Sequence, residues 1–169
     1  MTTFSLRNVR LRPGEEHREQ VAVDLEPFEL GGERYLPVPA QVPVDLAVAR
    51  ATSGDVFRIR FRARLHGPCM RCLADAVQEV EVDAREYQAA DEDAPEELRT
   101  EYVADGRLEL SAWARDAIAL GLPDQILCRP DCAGLCAVCG KDLNAEPHEH
   151  ADAPPDPRWA ALGELRDSL

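Results

Sequence analysis

The sequence predicts an α+β fold: an antiparallel β-sheet of about five to seven strands with a packed helix, a cysteine-rich segment and a short C-terminal helix. Three observations lead to this prediction. Apolar and charged residues alternate repeatedly within the first 90 residues, as they do in half-buried strands. The apolar spacing near residue 115 is helical. Four of the six cysteines then lie between residues 128 and 139.

The chain has 169 residues, of which 45% are hydrophobic, so it can bury a core without disulfides. We therefore predict a single domain, residues 1–169. Its expected parts are a β-rich part (1–90), an acidic loop and connection (91–109), a helix (110–121), a cysteine and histidine segment (122–151) and a C-terminal helix (152–169).

The strand predictions depend on alternation with a period of two. Apolar residues alternate through 42–48 and again through 57–65, and the turn residues 52–55 should join these two strands as an antiparallel hairpin. A third alternation, 79–84, should return beside the second strand and place acids opposite arginines. Earlier strands are predicted around Phe4–Leu6 and Val21–Leu25, with Gly31–Gly32 as a break.

Two helices are expected. The first should begin at Ser111 as the N-cap and end at Gly121, with Pro123 following. Its apolar face should consist of Trp113, Ala117 and Leu120. A second, short helix should begin at Asp156-Pro157, which supply an N-cap and a proline at the first helical position. Its apolar residues are Trp159, Leu162 and Leu165.

The formal net charge of −13 argues against a nucleic-acid partner, but the charge is unevenly distributed. The segment Arg50–Arg71 contains six arginines and one acid, whereas the segment Asp75–Glu109 contains thirteen acids and three arginines. No apolar stretch is long enough to span a bilayer, and no apolar leader follows the first charges. We therefore expect a cytoplasmic protein.

The cysteines have the spacing of metal ligands. Cys136 and Cys139 precede Gly140 in a knuckle, where two thiolates reach one tetrahedral ion and the glycine permits a tight turn. With the other close pairs, the candidate ligands are Cys69, Cys72, Cys128, Cys132, Cys136, Cys139, His148 and His150. Structural zinc is the expected metal. Disulfides are disfavoured in a reducing compartment, and any cysteine that meets no second pair would pack as a small hydrophobe.

Eight candidate ligands allow two zinc ions with four ligands each. In one arrangement, Cys136/Cys139 bind with His148/His150, and Cys69/Cys72 bind with Cys128/Cys132. A compact Cys128/Cys132/Cys136/Cys139 site and a ribbon of Cys69/Cys72 with Cys136/Cys139 are the rival pairings, and the sequence leaves all three open.

Several motifs together resemble the YceD family. They are Pro68-Cys-Met-Arg-Cys-Leu73, Leu122-Pro123, Cys132-Ala-Gly-Leu-Cys-Ala-Val-Cys-Gly140, Asp142-Leu-Asn144 and Asp156-Pro-Arg158. The resemblance implies a ribosome-biogenesis factor linked to accumulation of large-subunit ribosomal RNA, with no known enzymatic activity. Similar proteins often end the second motif with Cys-x-Cys, where this chain has His148 and His150. Many keep only the first CxxC, which favours separate sites for Cys69/Cys72 and Cys136/Cys139.

An enzyme is the alternative function. It would use a cysteine nucleophile with His148 or His66 as base, or an open zinc site with Glu149 as base. No nucleophile elbow or phosphate loop is present, and four ligands per ion leave no vacancy. A zinc-ribbon interaction module unrelated to ribosomes is a further alternative.

The expected partner is a ribosomal precursor component, either large-subunit ribosomal RNA or a basic ribosomal protein, and neither a membrane nor a small-molecule substrate is expected. The candidate RNA-binding residues are Arg58, Arg60, Arg62 and Arg64, which could instead form a solvated ladder with the acids of the next strand. The acidic loop Asp91–Glu101 is the candidate contact for a basic protein, or else a solubilising loop.

Overall fold

A computed structural model of the chain describes residues 1–91 and 93–150. The chain divides into two compact units, Met1–Cys132 and Ala133–Leu169. All strands and helices of the described residues lie in the first unit: β1 (Thr3–Ser5), β2 (Glu16–Asp24), β3 (Phe28–Leu30), β4 (Glu33–Pro37), β5 (Gln41–Arg50), β6 (Gly54–Pro68), β7 (Asp75–Ala89), β8 (Val103–Ala104), β9 (Arg107–Glu109) and α1 (Leu110–Gly121). Two short 3₁₀-helices lie at Leu6–Asn8 and Glu96–Leu98. Within the described ranges, no helix has the length and apolar character needed to cross a membrane.

The larger sheet has six strands and is organised around β6. Its order is β2-β5-β6-β4-β3, and β7 pairs with β6 along its whole length. The antiparallel register places Arg60 opposite both Asp45 and Asp83. The two predicted hairpins, β5–β6 and β6–β7, are thereby confirmed.

The smaller sheet has three strands in the order β1-β9-β8. Its strands have two or three residues each. Ser111 connects this region to the larger sheet, since its hydroxyl accepts a hydrogen bond from the Thr2 backbone N–H and donates one to the Asp24 carbonyl, both at 2.8 Å.

The core lies between the inner face of the larger sheet and α1. Alternate residues of β6 point inward, so Phe57, Ile59 and Leu65 are fully buried, while the intervening arginines face outward. The helix contributes Leu110, Trp113, Ala114 and Ile118 to the same core.

The predicted α+β class is wrong: the described residues form a mostly β structure with two sheets and one α-helix. Four strands were missed, β3, β4, β8 and β9, because two to five residues are too few to show an alternation. The predicted break at Gly31–Gly32 is the turn of the β3–β4 hairpin, where φ values of 61° and 86° suit glycine. The predicted second helix lies outside the described residues.

Two details of the predicted helix are also wrong. Leu120 is 89% exposed, because the buried stripe is formed by Leu110, Trp113, Ala114 and Ile118. The N-cap is Glu109 and makes no side-chain cap, while Ser111 lies within the first turn. The helix nevertheless ends at Gly121, as expected.

Candidate metal centres

The first candidate centre joins two distant segments of the first unit. Cys69 and Cys72 lie in the short loop between β6 and β7, and Cys128 and Cys132 lie in the segment that follows α1. The four sulfur atoms all lie within 4.8 Å of one another. Sγ of Cys69 is 3.8 Å from that of Cys132, and Sγ of Cys72 is 3.6 Å from that of Cys128.

These separations suit a single metal ion. A tetrahedral zinc with Zn–S bonds of about 2.3 Å places its sulfur ligands about 3.8 Å apart. A disulfide would need an S–S separation of about 2.05 Å, and all six cysteines are free. Cys69 and Cys132 are also buried within the hydrophobic core, so an ion here would be anchored to the core of the sheet.

The backbone of the β6–β7 loop holds the first cysteine pair in place. The Cys69 N–H donates to the Ala74 carbonyl at 2.7 Å, and the Leu73 N–H donates to the Cys69 carbonyl at 3.0 Å. Leu73 has a φ of 62°, in the left-handed region. Leu73 directly follows the CxxC of the first centre, and Gly140, with a φ of 73°, directly follows the CxxC of the other knuckle. The same backbone turn is therefore made by a leucine in one motif and by a glycine in the other.

Arg71 links the loop to the segment that carries the second cysteine pair. Its Nε donates to Gln125 Oε1 at 3.0 Å, and its Nη1 donates to the Cys132 carbonyl at 3.1 Å. The Met70 N–H donates to the Ile126 carbonyl at 2.9 Å. Hydrogen bonds therefore hold the two halves of the centre together, in addition to any bound ion.

The thiols of this centre differ in acidity. Burial opposes ionisation of Cys69, yet backbone N–H groups of Cys72 and Arg71 hold its pKa at about 6. Desolvation and the neighbouring sulfurs raise the pKa of Cys128 to about 12. Cys69 thus offers a thiolate at neutral pH, whereas an ion that recruits Cys128 must displace its proton.

The second candidate centre lies in the second unit, of which residues 133–150 are described. Its ligands are Cys136, Cys139, His148 and His150, whose ligating atoms lie within 4.8 Å of one another. Cys139 Sγ is 3.1 Å from His148 Nε2. His148 Nδ1 lies 2.7 Å from the Glu146 carbonyl and donates to it, which leaves Nε2 directed at the centre.

A hydrogen-bonded loop shapes this centre. The Cys136 N–H donates to the Lys141 carbonyl and the Gly140 N–H donates to the Cys136 carbonyl, both at 2.8 Å. Backbone N–H groups of Cys139 and Val138 lower the pKa of Cys136 to about 6. Hydrogen bonds to the Glu146 carbonyl and to the Cys136 side chain raise the pKa of His148.

The Asp142-Leu-Asn144 motif stabilises this loop through hydrogen bonds. Asp142 Oδ1 accepts the backbone N–H of Asn144 at 2.8 Å, and Asn144 Oδ1 accepts the N–H of Ala133 at 2.8 Å. Leu143 donates its N–H to the Gly134 carbonyl at 3.0 Å.

The eight candidate ligands thus form two groups of four, and the grouping is the first of the three pairings that the sequence leaves open. Neither the compact four-cysteine site nor the ribbon is formed. Metal ligation by these residues stays a prediction.

The four candidate RNA-binding arginines are engaged in ion pairs on the outer face of β6 and β7. Arg58 and Arg60 both contact Asp83, Arg62 contacts Glu81 and Arg64 contacts Glu79, at 2.5 to 3.2 Å. The arginines hold the pKa of Asp83 down to about 2. This is the ladder arrangement, and RNA binding by these residues stays a prediction.

Comparison with known proteins identifies the family. Residues 57–166 match the family described as "Large ribosomal RNA subunit accumulation protein YceD". The chain belongs to the YceD family. The matched region includes most of β6, all of β7 and α1, and all eight candidate ligands of the two centres.

Relatives of this YceD-family chain occur in bacteria and in a plant. An uncharacterized Mycobacterium tuberculosis protein, Rv2926c, is 37% identical over 131 residues, which are 75% of this chain and 62% of that protein. An uncharacterized Mycobacterium leprae protein, ML1660, is 33% identical over 131 residues, 75% of this chain and 59% of that protein. The maize "Large ribosomal RNA subunit accumulation protein YCED homolog 1, chloroplastic" is 31% identical over 78 residues, 46% of this chain and 22% of that protein. No solved structure matches.

Sequence reasoning missed the supporting residues of the first centre. Arg71 lies between the two cysteines of the first YceD motif, and its charge within a CxxC was the available signal. Gln125 carried no signal, because its contact with Arg71 joins residues 54 positions apart.

Replacement of Leu73 by glycine should stabilise the β6–β7 loop. A non-glycine residue in the left-handed region destabilises the folded state by about 1–2 kcal/mol. Glycine removes this strain, but its greater freedom in the unfolded chain offsets about 0.5–1 kcal/mol of the gain. Leu73 is mostly exposed, so little packing is lost. We expect Leu73→Gly to raise the free energy of unfolding by about 0.5–1 kcal/mol in urea denaturation. Leu73→Ala retains the Cβ and is the control; equal stabilities of the two variants would contradict the prediction.

Proposed function

We propose that this protein is a non-enzymatic zinc-binding factor that supports synthesis, processing or accumulation of large-subunit ribosomal RNA. Membership of the YceD family carries this proposal, together with the likeness to a maize protein named for accumulation of the large ribosomal RNA subunit. The chain spans only about three fifths of the length of its mycobacterial relatives, at 62% and 59%.

Zinc is the metal we propose for both centres. Four cysteines in one centre and two cysteines with two histidines in the other are donor sets that suit zinc. The sulfur separations of 3.6 and 3.8 Å support the same ion in the first centre. A cytoplasmic location is part of the proposal, because a reducing compartment keeps the thiols available as ligands.

The ligand count supports a structural rather than a catalytic metal. A catalytic zinc keeps three protein ligands and one position for water or substrate, whereas each centre here offers four protein ligands. Two cysteines of the first centre, Cys69 and Cys132, are in addition buried in the core. These features favour a factor that binds its target without converting it.

Loss of the gene should lower the ratio of large-subunit to small-subunit ribosomal RNA in growing cells. The measurement is RNA electrophoresis of the deleted strain, complemented by the wild-type gene as control. The purified protein should neither cleave nor modify precursor ribosomal RNA. An unchanged RNA ratio, or metal-dependent turnover of an RNA substrate, would contradict the proposed function.

The direct partner we propose is a basic ribosomal protein rather than RNA. Four acids of the loop after β7 are exposed and form no ion pair with any described residue: Asp91, Asp93, Glu96 and Glu97. The arginines of β6, by contrast, already contact carboxylates, and the chain as a whole would repel phosphate.

Charge reversal of these four loop acids to lysine should therefore weaken capture of basic ribosomal proteins from a cell extract. Replacement of Arg58, Arg60, Arg62 and Arg64 by glutamine should change capture little. Mass spectrometry of the captured proteins and sequencing of the captured RNA measure both effects. If the arginine variant loses its partner while the loop variant retains it, RNA is the direct ligand.

A further inference from the structure

The outer edge of β7 is a long strand edge with no strand beside it. The strand has 15 residues, and within the described ranges only β6 pairs with it. Its sequence contains neither proline nor glycine, the residues that usually interrupt such edges. Its main-chain N–H and C=O groups on that side can therefore pair with an added strand.

A groove of about 340 Å³ runs between this edge and α1. Val82 and Ala84 of the strand line one wall, and Trp113 and Ala117 of the helix line the other. Leu120, which is 89% exposed, lies at the rim. The groove thus offers apolar contacts for side chains that alternate along an added strand.

The helix is held close to the strand at the end of the groove. Gly121 lies so near β7 that a Cβ at this position would be 2.8 Å from Val80 Cγ1. The width of the groove is consequently fixed by packing.

The surroundings of the groove are acidic. The Tyr102 hydroxyl donates to Asp116 at 3.0 Å, and desolvation together with Asp116, Glu101 and Glu86 raises the pKa of Tyr102. Neither Glu86 nor Glu101 forms an ion pair with a described basic residue. Arg85 is the only basic residue among those that line the groove in the described structure.

We propose that the β7 edge binds an extended basic peptide as an added β-strand. Apolar side chains of the peptide would enter the groove, and lysines or arginines at other positions would meet Glu86, Glu101 and Asp116. The inference deepens the proposed function and rests on it, since it assigns a surface and a ligand class to the capture of a basic ribosomal protein.

Other occupants fit the edge less well. Pairing with the β7 edge of a second copy would bring together two strands that each carry five acids and one arginine. RNA would meet the same negative charge. Charge complementarity therefore selects a basic peptide.

The probe is a synthetic peptide of about ten residues, a usual strand length, in which the positions that face the groove carry valine and then lysine and the positions between them carry threonine. Binding to the full chain is measured by fluorescence anisotropy at physiological salt. A peptide N-methylated at alternate residues on one edge has the same charge but lacks those N–H donors. We expect it to bind at least about tenfold more weakly, and hydrogen exchange should show protection of β7 amides by the unmodified peptide alone. Equal affinity of the two peptides, or no protection of β7, would overturn the inference.

Leu120→Lys removes the exposed apolar residue and adds a repelling charge, and it should weaken binding at least about tenfold. Leu36→Lys replaces another exposed leucine, on β4, and should bind normally. Thermal melts confirm that both variants are folded. Equal binding by both variants would overturn the inference, as would displacement of the peptide by single-stranded RNA or self-association that Leu120→Lys abolishes.

The outcome is separable from that of the proposed function. If the peptide fails to bind while loss of the gene still lowers large-subunit ribosomal RNA, only the β7 inference falls. If the peptide binds as expected and the RNA ratio is unchanged, the proposed function falls and the edge stands as a peptide-binding surface, without its assigned source.

Discussion

The purified chain is expected to carry two equivalents of zinc, and Cys69→Ser is expected to carry one. The reason is the arrangement of eight ligands in two separate groups of four. Loss of one thiolate leaves three ligands in the first centre and does not touch the second, which belongs to the other unit. Cys139→Ser is the matched variant, and it should lose the second ion while retaining the first. Mass spectrometry under native conditions measures both contents.

Removal of the ion from the first centre should also destabilise the sheet. A ligand present at 1,000 times its dissociation constant stabilises the folded state by about 4 kcal/mol, which corresponds to a fall in Tm of roughly 8–16 °C when the ligand is lost. We therefore expect chelation of the wild type, and Cys69→Ser without chelation, to lower the Tm of the first unit by a similar amount. Chelation should have little further effect on this transition in Cys69→Ser. Zinc-free protein of full stability would contradict the prediction.

Replacement of Gly67 by alanine should destabilise the chain by about 3 kcal/mol or more, at the upper end of the effects of overpacking. A Cβ at this position would clash with Cδ1 of Tyr35 and lie 2.7 Å from its Cε1. The tyrosine cannot move aside, because it is fully buried and its hydroxyl donates to the Pro68 carbonyl at 2.8 Å. Since Pro68 directly precedes Cys69, the displaced backbone should also weaken zinc binding at the first centre. Urea denaturation and zinc titration measure the two effects.

A double variant provides the control for this clash. Tyr35→Leu removes the ring, so adding Gly67→Ala in that background should cost much less than it does in the wild type. The second centre should bind zinc normally in every variant. Equal costs of Gly67→Ala in both backgrounds would show that the ring is not the obstacle.

The long strands could be predicted from the sequence because alternation fixes their faces. In β6 and β7 the charged positions oppose one another, so the same pattern also predicted a ladder of arginines and acids; the register then pairs Arg62 with Glu81 and Arg64 with Glu79. Short strands offer no such signal. The two residues of β8 form a strand through their pairing with β9, which the sequence does not indicate. Leu120 was misplaced for a related reason, since helical spacing alone does not say which of two overlapping stripes the sheet will cover.

The candidate metal ligands could be predicted from local spacing, but their pairing could not. A CxxC can complete its tetrahedron with any second pair that the fold brings near, and Cys72 meets Cys128 only because the β6–β7 loop lies beside the segment after α1. Gln125 was beyond prediction on the same ground, because its contact with Arg71 depends on that juxtaposition.

The ligands of the two centres differ in how far apart they lie along the sequence. Cys139 and His148 are nine positions apart, whereas the first centre joins residues separated by 56 and 63 positions. Closing a loop of 56 rather than nine residues costs about 1.6 kcal/mol more in a flexible chain. An ion would therefore draw the ligands of the second centre together at a lower cost in chain entropy, whereas the ligands of the first centre are brought together by the strands and segments of the sheet.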